Sequence, residues 1–142
     1  MFSLDQRLRD DTIFLGRFDM CRLLLMNDAN YPWFILVPQR EGVQEIHELS
    51  AEDQNLLVRE SSALSASVSA LFEADKMNIA ALGNIVSQLH LHHVVRYRTD
   101  IAWPAPVWGF RPAAAYSRER IDEIRRILPP CLPDFTALPA GY

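Results

Sequence analysis

Lysine is almost missing from this chain. Of its 14 basic residues only Lys76 is a lysine, so positive charge has to be delivered by arginine forks rather than by compact ammonium groups. A basic surplus is missing too. Against 18 acidic residues the formal net charge is −4, with a pI near 5.5. Duplex binders usually show a basic face, so a nucleic-acid polymer is not expected as a partner, although one basic pocket is still allowed. Cysteine is scarce: Cys21 and Cys131 lie far apart and neither belongs to a C-x-x-C pair. That excludes a disulfide framework and leads us to expect a reducing, cytoplasmic setting. Cys21 lies in an apolar run and reads as a small buried hydrophobe. The start, Met1-Phe2-Ser3-Leu4-Asp5, lacks the basic stretch and apolar core of a signal peptide. The longest apolar stretches, Trp33–Val37 and the interrupted Ile79–Val86, fall well short of the ~20 residues that span a bilayer, so no membrane partner is expected. Internal repeats and low-complexity segments are absent from the sequence.

What is present is an ordinary globular composition, 49% apolar and 23% charged over 142 residues. A chain of this length buries about two-thirds of its unfolded surface and can fold without staples. Leu4 and Leu8 suggest a short helix over residues 3–9. Thr12–Phe18 and Cys21–Met26 read as strands joined by a tight hairpin, Asn27–Pro32 as a loop, and Trp33–Pro38 as a third strand. Ser50, with Asp53 three residues on, starts a long helix running to about residue 73. Its Ser/Ala stretch from Ser61 to Ala70 reads as a helix lying closely on a sheet. Lys76–Leu82 and Gln88–Tyr97 are the fourth and fifth strands. Trp103–Pro112 is a Pro-rich arm, Arg118–Leu128 a short amphipathic helix whose arginines and acids form a solvated face, and the end a Pro-rich tail. Strands on either side of one long helix, with short connections, indicate an α+β fold with an antiparallel sheet. We divide it as a domain over residues 1–112, with residues 113–142 as the C-terminal helix and tail of the same domain.

The chemistry concentrates in Gln88-Leu89-His90-Leu91-His92-His93-Val94-Val95-Arg96. On a strand, Gln88, His90, His92, Val94 and Arg96 share one face, and Leu89, Leu91, His93 and Val95 the other. The second set faces the core, so His93 is expected to be structural. The first set lines up an amide, two imidazoles and a guanidinium. Three readings compete. One is a strand with a plain wet face. Another is a His-x-His metal chelate, which lacks a third ligand because the other histidine, His47, lies near the helix entrance. The third is histidine-based phosphorus chemistry, which suits an imidazole pair beside a cation. No metal and no cofactor is expected.

This segment resembles the signature of the histidine triad (HIT) superfamily, His-φ-His-φ-His-φ-φ with φ apolar. His90 matches the middle histidine, His92 the third, and Arg96 a frequent trailing arginine. Upstream, Trp33-Phe34-Ile35-Leu36-Val37-Pro38-Gln39-Arg40 resembles the family's strand ending in Val/Ile-Pro-Lys/Arg-Arg, and Asn78 and Gly83-Asn84 resemble the Asn and Gly ahead of the signature. Gln88 stands where the first triad histidine belongs, Trp33 replaces another family histidine, and the usual Gly-Gln-Ser/Thr phosphate segment is missing. Gln88 together with Trp103-Pro104-Ala105-Pro106-Val107-Trp108-Gly109 looks like a bacterial subgroup named as diadenosine-polyphosphate-hydrolase-like.

The resemblance implies a five-stranded antiparallel sheet with one long helix and short terminal helices. It implies a hydrolase or nucleotidyl transferase acting on a nucleoside phosphate ester, phosphoramidate or dinucleoside polyphosphate through a nucleotidyl-histidine. His90 would attack phosphorus, His92 would bind phosphate or leaving group, and Gln88 would orient groups. Asn27 and Asp28 would contact ribose, with an Asx turn as the alternative. Asn78 would reach phosphate or hold the signature strand, Gly83-Asn84 would offer backbone N–H groups to the anion or form a plain hairpin turn, and Arg96 would help set the field around the phosphate. Trp103, Trp108 or Phe110 would stack a base, or pack against the sheet or a second subunit. A non-catalytic nucleotide-binding module is the alternative function. The resemblance also implies a homodimer through the long helix and the fourth strand, whose apolar residues would be hazardous on an open edge.

Overall fold

The computed structural model describes residues 1–139. The first helix, α1 (Gln6–Asp11), is capped by Asp5, whose carboxylate accepts from Arg7 N. It feeds directly into β1 (Thr12–Arg17), which pairs antiparallel with β2 (Cys21–Met26). The turn between them is clasped from outside. The buried Glu60 carboxylate accepts from Met20 N and Cys21 N at 2.8 and 3.0 Å. β3 (Trp33–Pro38) is buried along its whole length. The long helix, α2 (Ala51–Leu71), starts where the sequence places it, with Ser50 Oγ accepting from Asp53 N.

β4 (Lys76–Ala80), β5 (Leu91–Arg96) and α3 (Arg118–Ile127) follow, then a 3₁₀ turn at Pro129–Cys131 and the two-residue β6 (Thr136–Ala137). The sheet order is β4-β5-β3-β2-β1-β6, and its pairs are antiparallel. The α+β class expected from the sequence is therefore found, with a sixth strand added to the expected five. β6 docks on β1 at Gly16, which has a φ of +149°; a Cβ there would lie 2.3 Å from Thr136 O, so only glycine admits the sixth strand.

The sheet is covered on both faces. On one, α2 and α3 contribute Leu57, Leu64, Val68, Ile124 and Leu128 to a core with Leu23, Leu25, Phe34, Leu36, Leu91 and Val95. On the other, Leu4 and Leu8 of the α1 segment, and Ala102 and Val107 of the arm, cover Leu24, Ile35, Val37 and Val94. Such two-sided burial explains why β3 reads as a continuous apolar run rather than an alternation. The catalytic-looking segment lies where these covers meet. Gln88, Leu89 and His90 precede β5 rather than forming its start, because Leu89 N leaves the ladder to donate to Val43 O. None of the helices among the described residues is long and apolar enough to cross a membrane.

Candidate active site

His90 and His92 face one another at the head of β5, with ring centroids 4.8 Å apart. Both are nearly enclosed, at 6% and 5% exposure. Their proton positions follow from their partners. His90 Nδ1 lies 2.7 Å from the Gln88 carbonyl oxygen. A carbonyl only accepts, so Nδ1 carries the hydrogen, and in the neutral ring Nε2 carries the lone pair. His92 is arranged the other way round. Trp33 Nε1–H, a donor only, reaches His92 Nδ1 at 3.0 Å. Nδ1 therefore accepts, and the ring's hydrogen sits on Nε2. Burial first, then neighbouring His90 and His93, depress the His92 pKa to about 3, so the ring is neutral at pH 7. The pair thus offers one ring nitrogen able to attack and one N–H able to donate a hydrogen bond.

These rings open on a cleft of about 350 Å³. Trp33, Trp108, Met26 and Leu8 form its apolar walls, and Leu82 to Val86, Asn84 included, form its rim. Arg7 and Asp11 of α1 also line it. That volume is at the low end for small-molecule sites. A larger groove, about 650 Å³, runs between α3 and β1 and contains no histidine. Trp108 stands edge-on to His92 and Trp33, with centroids at 5.3 and 5.8 Å. Its buried Nε1 has no protein partner. Of the arm's three aromatics, Trp108 alone lines the cleft. Trp103 instead packs beneath Arg96, and Phe110 is exposed.

His93 faces the helix side, as the alternation predicts. Its Nδ1 donates to Leu91 O at 3.0 Å and its Nε2 accepts from Ser61 Oγ at 2.7 Å. Burial lowers its pKa to about 4. It pins α2 to the sheet and does not reach the cleft. His47 lies exposed in a 3₁₀ turn, away from the pair. No group of three or more potential metal ligands occurs among the described residues.

Several residues expected to touch substrate are committed elsewhere. Arg96 is 1% exposed and fully engaged. Its Nε and Nη2 bond both oxygens of Asp100, Nη1 donates to Asn78 Oδ1, and Nη2 also donates to Ala105 O. The face carrying Arg96 is dry because the arm covers it. Arg96 and Asn78 therefore hold the arm and β4 in place instead of meeting phosphate. Asn27 Oδ1 accepts from Tyr116 N. Asp28 Oδ1 takes Asn30 N, Asn30 Nδ2 and, at 3.3 Å, Ala114 N, so the Asx turn is the arrangement found. Both residues anchor the strap before α3 and neither lines the cleft. The Gln88 amide is likewise occupied: Oε1 accepts from Asp5 N and Nε2 donates to Ser3 O. Its main-chain oxygen, not its side chain, orients His90. Of the expected set, the structure gathers His90, His92 and Asn84 at the cleft. Sequence reasoning missed Arg7 and Asp11, whose helix is tied to the signature segment by Gln88 through bonds to Ser3 and Asp5, more than eighty residues earlier in the chain.

Fold and cleft together define the class: an α+β protein whose pocket is built around a facing histidine pair at the head of a central strand. The HIT domain model matches residues 7–99. A histidine triad protein from Marinobacter aquaeolei VT8 is 53% identical, with TM-score 0.91 over 93% of this chain and 96% of that one. One from Bradyrhizobium japonicum is 40% identical, with TM-score 0.90 over 92% and 98%. One from Sinorhizobium meliloti 1021 is 43% identical, with TM-score 0.87 over 88% and 93%. No curated protein gives a significant match. The chain belongs to the histidine triad family.

Proposed function

We propose that this protein is a nucleotide-binding hydrolase or nucleotidyl transferase that works through a nucleotidyl-histidine on His90. The supporting observation is the tautomer pair. Gln88 O takes the Nδ1 hydrogen of His90 and leaves Nε2 as the nucleophile, while Trp33 turns His92 Nε2–H into a fixed donor. In the first step His90 Nε2 attacks phosphorus, a P–N bond forms, and the bond to the leaving atom breaks with its electron pair. The His92 N–H steadies a phosphate oxygen. Water then cleaves the P–N bond, or another nucleophile takes the nucleotidyl group. Quenching the protein with a reactive adenylate should trap an adenylyl adduct on His90. His90→Ala should lose the adduct and at least about a hundredfold in turnover, the scale on which covalent catalysis operates. Equal turnover in both proteins rejects the mechanism.

A non-catalytic nucleotide-binding module is the second reading. It is favoured by Gln88, whose amide has no titratable proton and is tied to Ser3 and Asp5. Binding of AMP without turnover over hours supports that reading over the first.

The assembly belongs to the same proposal. β4 is the sheet edge, with Ile79 exposed on it, and Leu82, Ile85 and the α2 residue Val58 are exposed nearby in the chain or on the adjoining helix. These residues support a two-fold dimer through β4 and α2, which removes an open apolar edge. Light scattering at micromolar concentration should give twice the 16.3 kDa chain mass. A single-chain mass that does not change with concentration rejects it.

A further inference from the structure

A phosphate site needs a cation, and Arg96 is spent inside the protein. Among the described residues lining the cleft, Arg7 alone is an arginine or lysine. It pairs with Asp11 at 3.4 Å, both side chains being more than half exposed. An exposed pair of this kind contributes little, so an arriving anion competes readily for the guanidinium. Arginine also matches phosphate with two parallel donors.

The six-residue α1 is too short to hold its own place. Leu4 and Leu8 seat it on the sheet, and Gln88 fixes the chain just before it. The Gln88 amide takes Asp5 N and gives to Ser3 O, two positions apart, as a peptide unit on a neighbouring parallel strand would. Gln88 therefore holds His90 with its main chain and the Arg7-bearing segment with its side chain. The amide at this position joins the nucleophile to the wall opposite.

The geometry points to α1 as the anion-recognising wall of the cleft: Arg7 receives the substrate phosphate beside His90 and His92, and Gln88 is the positioning residue that holds Arg7 there. This rests on reading the cleft as a nucleoside-phosphate site and names the groups that select the phosphate.

Calorimetry with AMP, and with adenosine as the uncharged control, tests it. Arg7→Gln should weaken AMP about tenfold, the scale of a charge-assisted hydrogen bond at a partly wet site, and leave adenosine unchanged. Arg7→Lys should recover part of the loss, and 0.5 M salt should shrink it. Gln88→Leu should show the same phosphate-selective loss. The double variant should bind AMP no more weakly than the weaker single variant, because both remove one contact. An unchanged AMP affinity in Arg7→Gln overturns the role of Arg7. An equal loss of AMP and adenosine in Gln88→Leu overturns the positioning role. Arg7-dependent AMP binding without turnover retains this inference and removes only the hydrolase reading. Failure of the wild type to bind AMP removes both.

Discussion

Offered two adenylates of similar size at pH 7, one a mixed anhydride with a carboxylate and one a phosphoramidate of an amine, the protein is expected to cleave the anhydride roughly a hundred to ten thousand times faster, the span that a positioned general acid supplies where one exists. The reason is a missing proton. When His90 Nε2 takes the phosphorus, the departing atom keeps the bonding electron pair. A carboxylate or phosphate leaves as a stable anion, whereas an amine has to be protonated. His92 Nε2–H is within the site, but its Nδ1 accepts from Trp33, and burial holds the ring's pKa near 3. A neutral imidazole donates a hydrogen bond there without giving up the proton. Gln88 cannot titrate, and its amide is bonded to Ser3 and Asp5. Asp11, an acceptor as a carboxylate, is paired with Arg7. The amine must draw its proton from solvent. The ratio of kcat/KM for the two substrates, followed from pH 8 to pH 5, checks this and cancels any pH dependence that the two reactions share. The anhydride's advantage should shrink as pH falls and solvent protons become available. Trp33→Phe, which frees His92 Nδ1 to accept a proton, should narrow it further. Near-equal rates at pH 7, or a ratio flat with pH, would sink the argument.

The strands β2 and β3 and the start of α2 are legible in the sequence because local signals carry them. These are a buried apolar run bounded by turn residues, and a serine cap with an acid three residues on. The facing of His90 and His92, and the burial of His93 on the helix side, were legible from alternation alone. What covers each face was not. Alternation puts Arg96 on the histidines' side of the sheet, but whether that side is wet depends on the arm. The arm is positioned by Asp100 and Ala105, which the local pattern does not connect with phosphate or with its absence. Asn27 and Asp28 illustrate the same limit: the strap that consumes them lies more than eighty residues downstream. β6 has two residues and pairs with a strand about 120 positions earlier, so no periodicity announces it. Arg7 is an ordinary arginine on a short helix until Gln88 ties that helix to the signature segment.

Asp100→Ala should be the most damaging single change outside the histidine pair, costing about 3–5 kcal/mol and lowering the melting temperature by roughly 10–15 °C. Burial alone would raise the Asp100 carboxyl pKa. The Arg96 fork and the N–H groups of Tyr97, Trp103 and Ala102 outweigh burial and hold it below the usual carboxylate range. The two side chains are 1% and 3% exposed, so deleting the acid leaves a guanidinium buried with only Asn78 and Ala105 to bond. The damage extends to the site. Asp100 fixes the backbone at residues 102 and 103, Arg96 fixes residue 105, and the arm then carries Val107 into the core and Trp108 against His92. Nucleotide affinity should therefore fall along with stability, even though neither residue of the pair lines the cleft. Urea unfolding of three variants separates charge from packing. Asp100→Ala and Arg96→Met each strand one buried partner and should both be severe. The double variant Arg96→Met/Asp100→Leu removes both charges and should regain part of the loss, because the uncompensated charge is the larger share of the cost. The backbone donors at Tyr97, Ala102 and Trp103 lose the carboxylate in the double variant as they do in Asp100→Ala, so the recovery is partial and the arm remains looser than in the wild type. A double variant as unstable as the sum of the singles would show that the pair holds the arm by shape and hydrogen bonding alone, with no charge penalty to relieve.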